Sequence, residues 1–128
     1  MHICLTLMND KQEFGHAGEE LATQFLRQKG HTILERNWRS GKDEIDIISQ
    51  IGAFLVITEV KTRSSNHFMN PEDTVDDRKQ KCLMRAAEQY IFESKVDKEL
   101  RFDIISVISN SGEQEVFHIE DAFYATLE

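Results

Sequence analysis

The run Thr58-Glu59-Val60-Lys61-Thr62-Arg63 sets a carboxylate and an ammonium two positions apart, directly after the apolar stretch Phe54-Leu55-Val56-Ile57. Side chains alternate along a strand, so Glu59 and Lys61 share one face while Val60 takes the other. A carboxylate among such apolar neighbours is costly unless another charge serves it. A second apolar segment, Ile45-Asp46-Ile47-Ile48, carries Asp46 between two isoleucines, and alternation turns it away from their side. If the two segments are neighbouring strands, Asp46, Glu59 and Lys61 converge in one small pocket. Two carboxylates and a lysine so arranged are the parts of a metal-dependent phosphodiesterase. The acids are hard oxygen ligands for Mg²⁺ (or Mn²⁺), which polarises a phosphoryl oxygen and acidifies water. The lysine orients that water or neutralises developing charge. The plain alternative is a Glu–Lys pair that steadies the sheet, with Asp46 at a solvated edge.

Two helices offer further groups. Apolar residues at Phe14, Ala17, Leu21, Ala22, Phe25 and Leu26 have the spacing of a helix with one buried stripe, over Phe14–Lys29 and ended by Gly30. Glu19 falls on the border of that stripe, where it can reach a site at the strand ends, while Glu20 points further into solvent. Gly18 lies on the stripe and would let the helix approach the sheet closely. Both glutamates also suit a helix's first turns, where acids offset the dipole. In a second helix, opening at Pro71-Glu72-Asp73 and running to about Lys95, the buried stripe is Val75, Cys82, Leu83, Ala86, Ala87, Tyr90 and Ile91. Lys79 falls inside it, either snorkelling outward or reaching a phosphate or a catalytic carboxylate.

Between the helices lie three β-rich segments, His31–Arg39, Glu44–Gln50 and Ala53–Arg63, divided by Ser40-Gly41 and Ile51-Gly52 turns. Arg101–Ser109 and Gln114–Ile119 read as two further strands around Asn110–Gly112, and Glu120–Leu127 as a short helical turn. The order α-β-β-β-α-β-β predicts an α/β fold with a mixed central sheet flanked by helices, its third strand central. A chain of 128 residues, 40% hydrophobic and 30% charged, suits a single domain over 1–128 and excludes collagen-like and wholly disordered classes. No apolar run nears the roughly 20 residues of a membrane span, and no secretory leader is read, so a cytoplasmic domain without a membrane partner is expected. Cys4 and Cys82 lack metal or CxxC spacing, which fits a reducing compartment, and no role is assigned to them or to His16, His67 and His118. The net charge of -8 opposes a nucleic-acid partner, yet residues 1–65 carry 8 Lys/Arg against 9 Asp/Glu, and residues 66–128 carry 7 against 14. The acidity is therefore concentrated in the second half of the chain, and composition leaves the partner open.

Taken together, Gly15-x-x-Gly18-Glu19-x-x-Ala22, Arg36-Asn37-x-Arg39, Glu44-Ile45-Asp46, Glu59-Val60-Lys61-x-Arg63, Lys79 and Arg101-Phe102-Asp103 resemble the YraN family of small bacterial proteins, over about residues 14–123. That family is grouped with the restriction-endonuclease-like, PD-(D/E)XK fold and is similar to Holliday junction resolvases. The resemblance implies an αβββαβ core and catalytic roles for Glu19, Asp46, Glu59 and Lys61. It also implies metal ligation by Asp46, Glu59, the Val60 carbonyl and Glu19. Two departures stand out: Asp43 where the family usually has Gly, which adds negative charge beside the site, and Thr58 in place of a more apolar residue. The leading expectation is a divalent-metal-dependent endonuclease hydrolysing phosphodiester bonds in DNA, branched or single-stranded, with Arg39, Arg63 and Lys79 on phosphate. Cutting two strands in resolvase fashion requires two sites, hence a homodimer. The alternatives are a catalytically silent nucleic-acid-binding protein that keeps the fold, favoured by the acidic total and Asp43, and a purely structural interaction domain.

Overall fold

The computed structural model describes residues 11–64, 75–110 and 112–123. Helix α1 (Lys11–Gln28) is followed by strands β1 (Thr32–Ser40), β2 (Asp43–Ile51) and β3 (Phe54–Ser64), helix α2 (Asp77–Ser94), and strands β4 (Glu99–Asn110) and β5 (Glu113–Phe123). This is the expected element order. The five strands form one sheet in the order β1-β2-β3-β4-β5. Neighbours are antiparallel except β3 and β4, which run parallel because α2 carries the chain back between them. The fold is thus α/β with a mixed sheet, consistent with a restriction-endonuclease-like core.

Each face of the sheet is covered by one helix. Leu21, Ala22 and Leu26 of α1 pack with Ile47, Ile105 and Val107, all buried. Leu83, Ala86, Ala87 and Tyr90 of α2 pack with Ile48, Leu55, Ile57, Phe102 and Ile104 on the opposite side. Leu55, Val56 and Ile57 are all but inaccessible, as a strand apolar on both faces and placed third of five must be. Gly30 follows α1 with φ of 102°, in the left-handed region where glycine is favoured, and its N–H bonds back to Arg27.

Two boundaries differ from expectation. Helix α2 begins at Asp77 rather than at Pro71, with Val75 and Asp76 outside it; Pro71–Asp73 themselves lie outside the described residues. Asp76 decides the start, since its extended backbone and its carboxylate, accepting from the Lys79 N–H at 2.9 Å, make it the N-cap. Glu120–Phe123 are strand, not a helical turn, and 124–127 lie outside the described residues. There β5 bulges opposite Asp103 between the Phe102↔Phe123 and Ile104↔Ile119 pairs, with Asp121 at φ of 54°. The Asp121 N–H donates to buried Asp103 Oδ1 at 3.1 Å, and Phe123 stacks on Phe102. Tertiary partners therefore override a locally polar segment.

Candidate active site

The site is built where β2 and β3 part. Their pairing runs from Ile51↔Phe54 to Ile47↔Thr58, and the next residues on each strand are Asp46 and Glu59. Beyond that point the Val60 N–H donates to the Asp46 side chain, Oδ2 at 2.8 Å, in place of a ladder partner. Meanwhile β2 stays paired with β1 as far as Ser40↔Asp43. Strict alternation fails across Asp46, since Ile45 packs on the α2 side and Ile47 on the α1 side. Asp46 thus stands in the fork of two diverging strands, open to groups from both faces.

From the α2 side comes Glu59, only 4% exposed. Its Oε2 lies 3.4 Å from Lys79 Nζ and 3.9 Å from Lys61 Nζ. The expected convergence of Asp46, Glu59 and Lys61 is present, and Lys79 joins it by reaching a carboxylate. Burial, then the hydrogen bond and charge of Glu59, push the Asp46 carboxyl up to about 9. The Asp46 carboxyl therefore keeps its proton near neutral pH, held against Glu59. Burial works against the Lys79 ammonium, but the Glu59 carboxylate outweighs it and raises the Lys79 pKa.

From the α1 side comes Glu19. A Cβ on Gly18 would overlap the Thr62 methyl, so only glycine lets α1 sit this close to β3. Glu19 is half-buried, and one of its oxygens, Oε1, is buried with no hydrogen-bond partner. Burial raises its pKa, the Asn37 side chain opposes that by hydrogen bonding, and its charge in turn reaches Asp46. Glu20, one residue on, instead pairs with Arg36 at 2.6 Å. Among the described residues no three His, Cys, Asp or Glu side chains close into one metal-binding cluster, so Glu19 stands at the margin of the Asp46–Glu59 pair.

Comparison with known proteins places this geometry in a family. The model of the uncharacterised protein family UPF0102 matches residues 18–107, which span Glu19, Asp46, Glu59, Lys61 and Lys79. A UPF0102 protein of Flavobacterium psychrophilum is 46% identical over 91% of this chain and 98% of its own length. A relative from Bacteroides thetaiotaomicron is 44% identical over 94% of this chain and 99% of its own. The chain belongs to the UPF0102 family. The expected YraN membership is this same family.

Further charged groups of this UPF0102 chain lie around the site and in the core. Arg39, 75% exposed on β1, pairs with Glu44 at 3.1 Å. Arg63 is half-buried on β3, and its Nε is buried without a partner. Asp43 does not stand as free negative charge, because Arg85 of α2 grips both its oxygens at 2.9 and 3.0 Å and holds its carboxyl below the usual range. Sequence reasoning missed that pairing, and it missed Asn37, which has φ of 53° and lies on β1 between the Arg36↔Ile47 and Trp38↔Ile45 pairs, opposite Asp46. An asparagine inside a β-rich run was the available signal. Also missed was a buried network on the α1 side. Asp103 accepts two bonds from Arg101 and one from His118 Nε2 at 2.7 Å, while His118 Nδ1 lies 2.8 Å from Lys29 Nζ. The Arg101-Phe102-Asp103 motif therefore braces β4, β5 and the end of α1.

Proposed function

We propose that the protein is a divalent-metal-dependent endonuclease hydrolysing phosphodiester bonds in DNA, its described core forming one nuclease-like domain. The observation that carries this reading is the Asp46–Glu59 pair, a half-buried and a buried carboxyl group forced together at a strand fork with two lysines on Glu59. A sheet needs no such pair for stability, since crowding the two acids together keeps Asp46 from ionising near neutral pH.

The donor set fits Mg²⁺ or Mn²⁺. Carboxylate oxygens are the hard ligands such ions take, and unpartnered Glu19 Oε1 supplies a further acceptor at the margin. Asp46, Glu59 and the Val60 carbonyl would hold the ion directly, with Glu19 acting through water. When bound, the ion supplies a Lewis acid for the phosphoryl oxygen and a more acidic water. The Val60 N–H fixes the Asp46 carboxylate in the fork. Lys61, the freer of the two lysines at 3.9 Å from Glu59, is placed to orient the attacking water or to offset charge on the phosphate. Lys79 neutralises Glu59 from the first turn of α2, which makes it a positioning group first and a phosphate contact second. Arg39 and Arg63 complete the cationic rim. The α/β core of UPF0102 is a scaffold that many chemistries share, so the carboxylate pair and not the fold carries the assignment.

The test is incubation of the purified protein with junction, flap and single-stranded DNA in Mg²⁺ or Mn²⁺. Nicked product is expected, with a loss of at least a hundredfold in Asp46→Ala and in Lys61→Ala. Cleavage that survives EDTA or either substitution overturns the reading. Salt-dependent DNA binding with no metal requirement and no product would mark a silent binding protein instead.

A further inference from the structure

The nuclease reading sets Arg63 on the cationic rim without saying which phosphate it meets. Arg36, Arg39, Arg85 and Arg101 each pair with a carboxylate. Arg63 has no such partner among the described residues, although its Nε is buried and lacks any hydrogen bond. A buried guanidinium N–H without an acceptor is expensive, and its planar fork is matched to carboxylate or phosphate. Its place on the strand says which anion. Alternation puts Glu59, Lys61 and Arg63 in one row along β3, with Thr62 on the other face against Gly18. Two residues of strand span about 6.7 Å, close to the step between neighbouring phosphates of one nucleic-acid strand. The β4 side of this stretch is covered, Arg63 pairing with Ile108, while pairing to β2 has ended at Thr58.

Resting on the nuclease reading, we propose that Arg63 receives the phosphate adjacent to the one being cut, so that a single DNA strand runs outward along β3 with successive phosphates at Lys61 and Arg63. Arg63 then binds substrate without touching the reacting atoms. It acts on strands that extend past the cut and is indifferent to an isolated phosphate.

Thymidine 3′,5′-bisphosphate carries two phosphates in the relation of neighbours on one strand, and either thymidine monophosphate carries one. Titration calorimetry in Mg²⁺ should show the bisphosphate binding the wild-type protein roughly ten- to a hundredfold more tightly than either monophosphate. Arg63→Ala should erase that advantage and leave monophosphate affinity within about twofold, while Arg63→Lys should keep part of it. The melting temperature of Arg63→Ala should equal or exceed that of the wild type, because an unsatisfied buried group is removed. A wild-type preference for the bisphosphate that persists in Arg63→Ala, or a loss shared by all three ligands, overturns the proposal alone. Failure of the wild type to bind any of the three overturns the nuclease reading and this proposal with it. A clear drop in the melting temperature of Arg63→Ala would make the arginine structural and also overturn it.

Discussion

Asp46 is the residue whose environment says most. Its carboxyl is raised from 3.8 to about 9 by burial and by Glu59, so the folded state favours the protonated form. A raised folded value means that this contribution to stability is complete below about pH 4 and is lost as pH climbs towards 9. In EDTA, thermal melts should therefore show the wild type losing stability across that window relative to Asp46→Asn, which should be the more stable protein at neutral pH. A wild-type slope identical to that of the variant would contradict the raised Asp46 carboxyl. At this scale the sequence was a good guide wherever alternation holds, since Glu59 and Lys61 do share a face. It was incomplete at Asp46, where the strands diverge and alternation breaks, and at Asn37, whose left-handed backbone no periodicity encodes. It was silent on Asp43–Arg85, because a pair 42 positions apart becomes a contact only once α2 is laid on the sheet.

At the scale of elements, α1 is positioned by the lack of one methyl group. Gly18→Ala would normally strengthen a helix by about 1 kcal/mol, yet here the added carbon meets Thr62. We expect destabilisation of about 1–3 kcal/mol by chemical denaturation, with partial recovery in Gly18→Ala/Thr62→Ser, which removes the obstructing methyl. An increase in stability from Gly18→Ala alone would show that α1 does not sit close to β3. The Asp103 network is the second brace. Removing its charge with Asp103→Asn leaves nearly closed Arg101 with only the half-exposed Glu120, 3.5 Å away, and should cost about 3 kcal/mol. A cost under about 1 kcal/mol would mark the network as incidental. The element order was legible because each segment carries its own period and its own turn residues. The two misplaced ends, α2 at Pro71 and the tail of β5, depend on a cap and a bulge that polar composition alone does not distinguish.

The whole molecule is acidic, with a net charge of -8, and this bears on how it would meet a polyanion. Lys61, Arg63 and Lys79 gather on one side of the β3 fork, whereas β5 is rich in acids, including Glu113, Glu115, Glu120 and Asp121. A DNA complex formed through so few cations should have a shallow salt dependence, with an affinity slope of about two to three on a log–log plot rather than the steep one of a basic binding domain. A steeper slope would place the contacts elsewhere on the surface.

The central claim is that Asp46 and Glu59 are held together for a divalent cation. Titration of the metal-free protein with Mn²⁺ or Mg²⁺, followed by calorimetry, tests it without any substrate. One site per chain is expected in the wild type, absent in Asp46→Ala and retained in Arg63→Ala. An isotherm unchanged by loss of the Asp46 carboxylate, or no binding to the wild type at all, would contradict it.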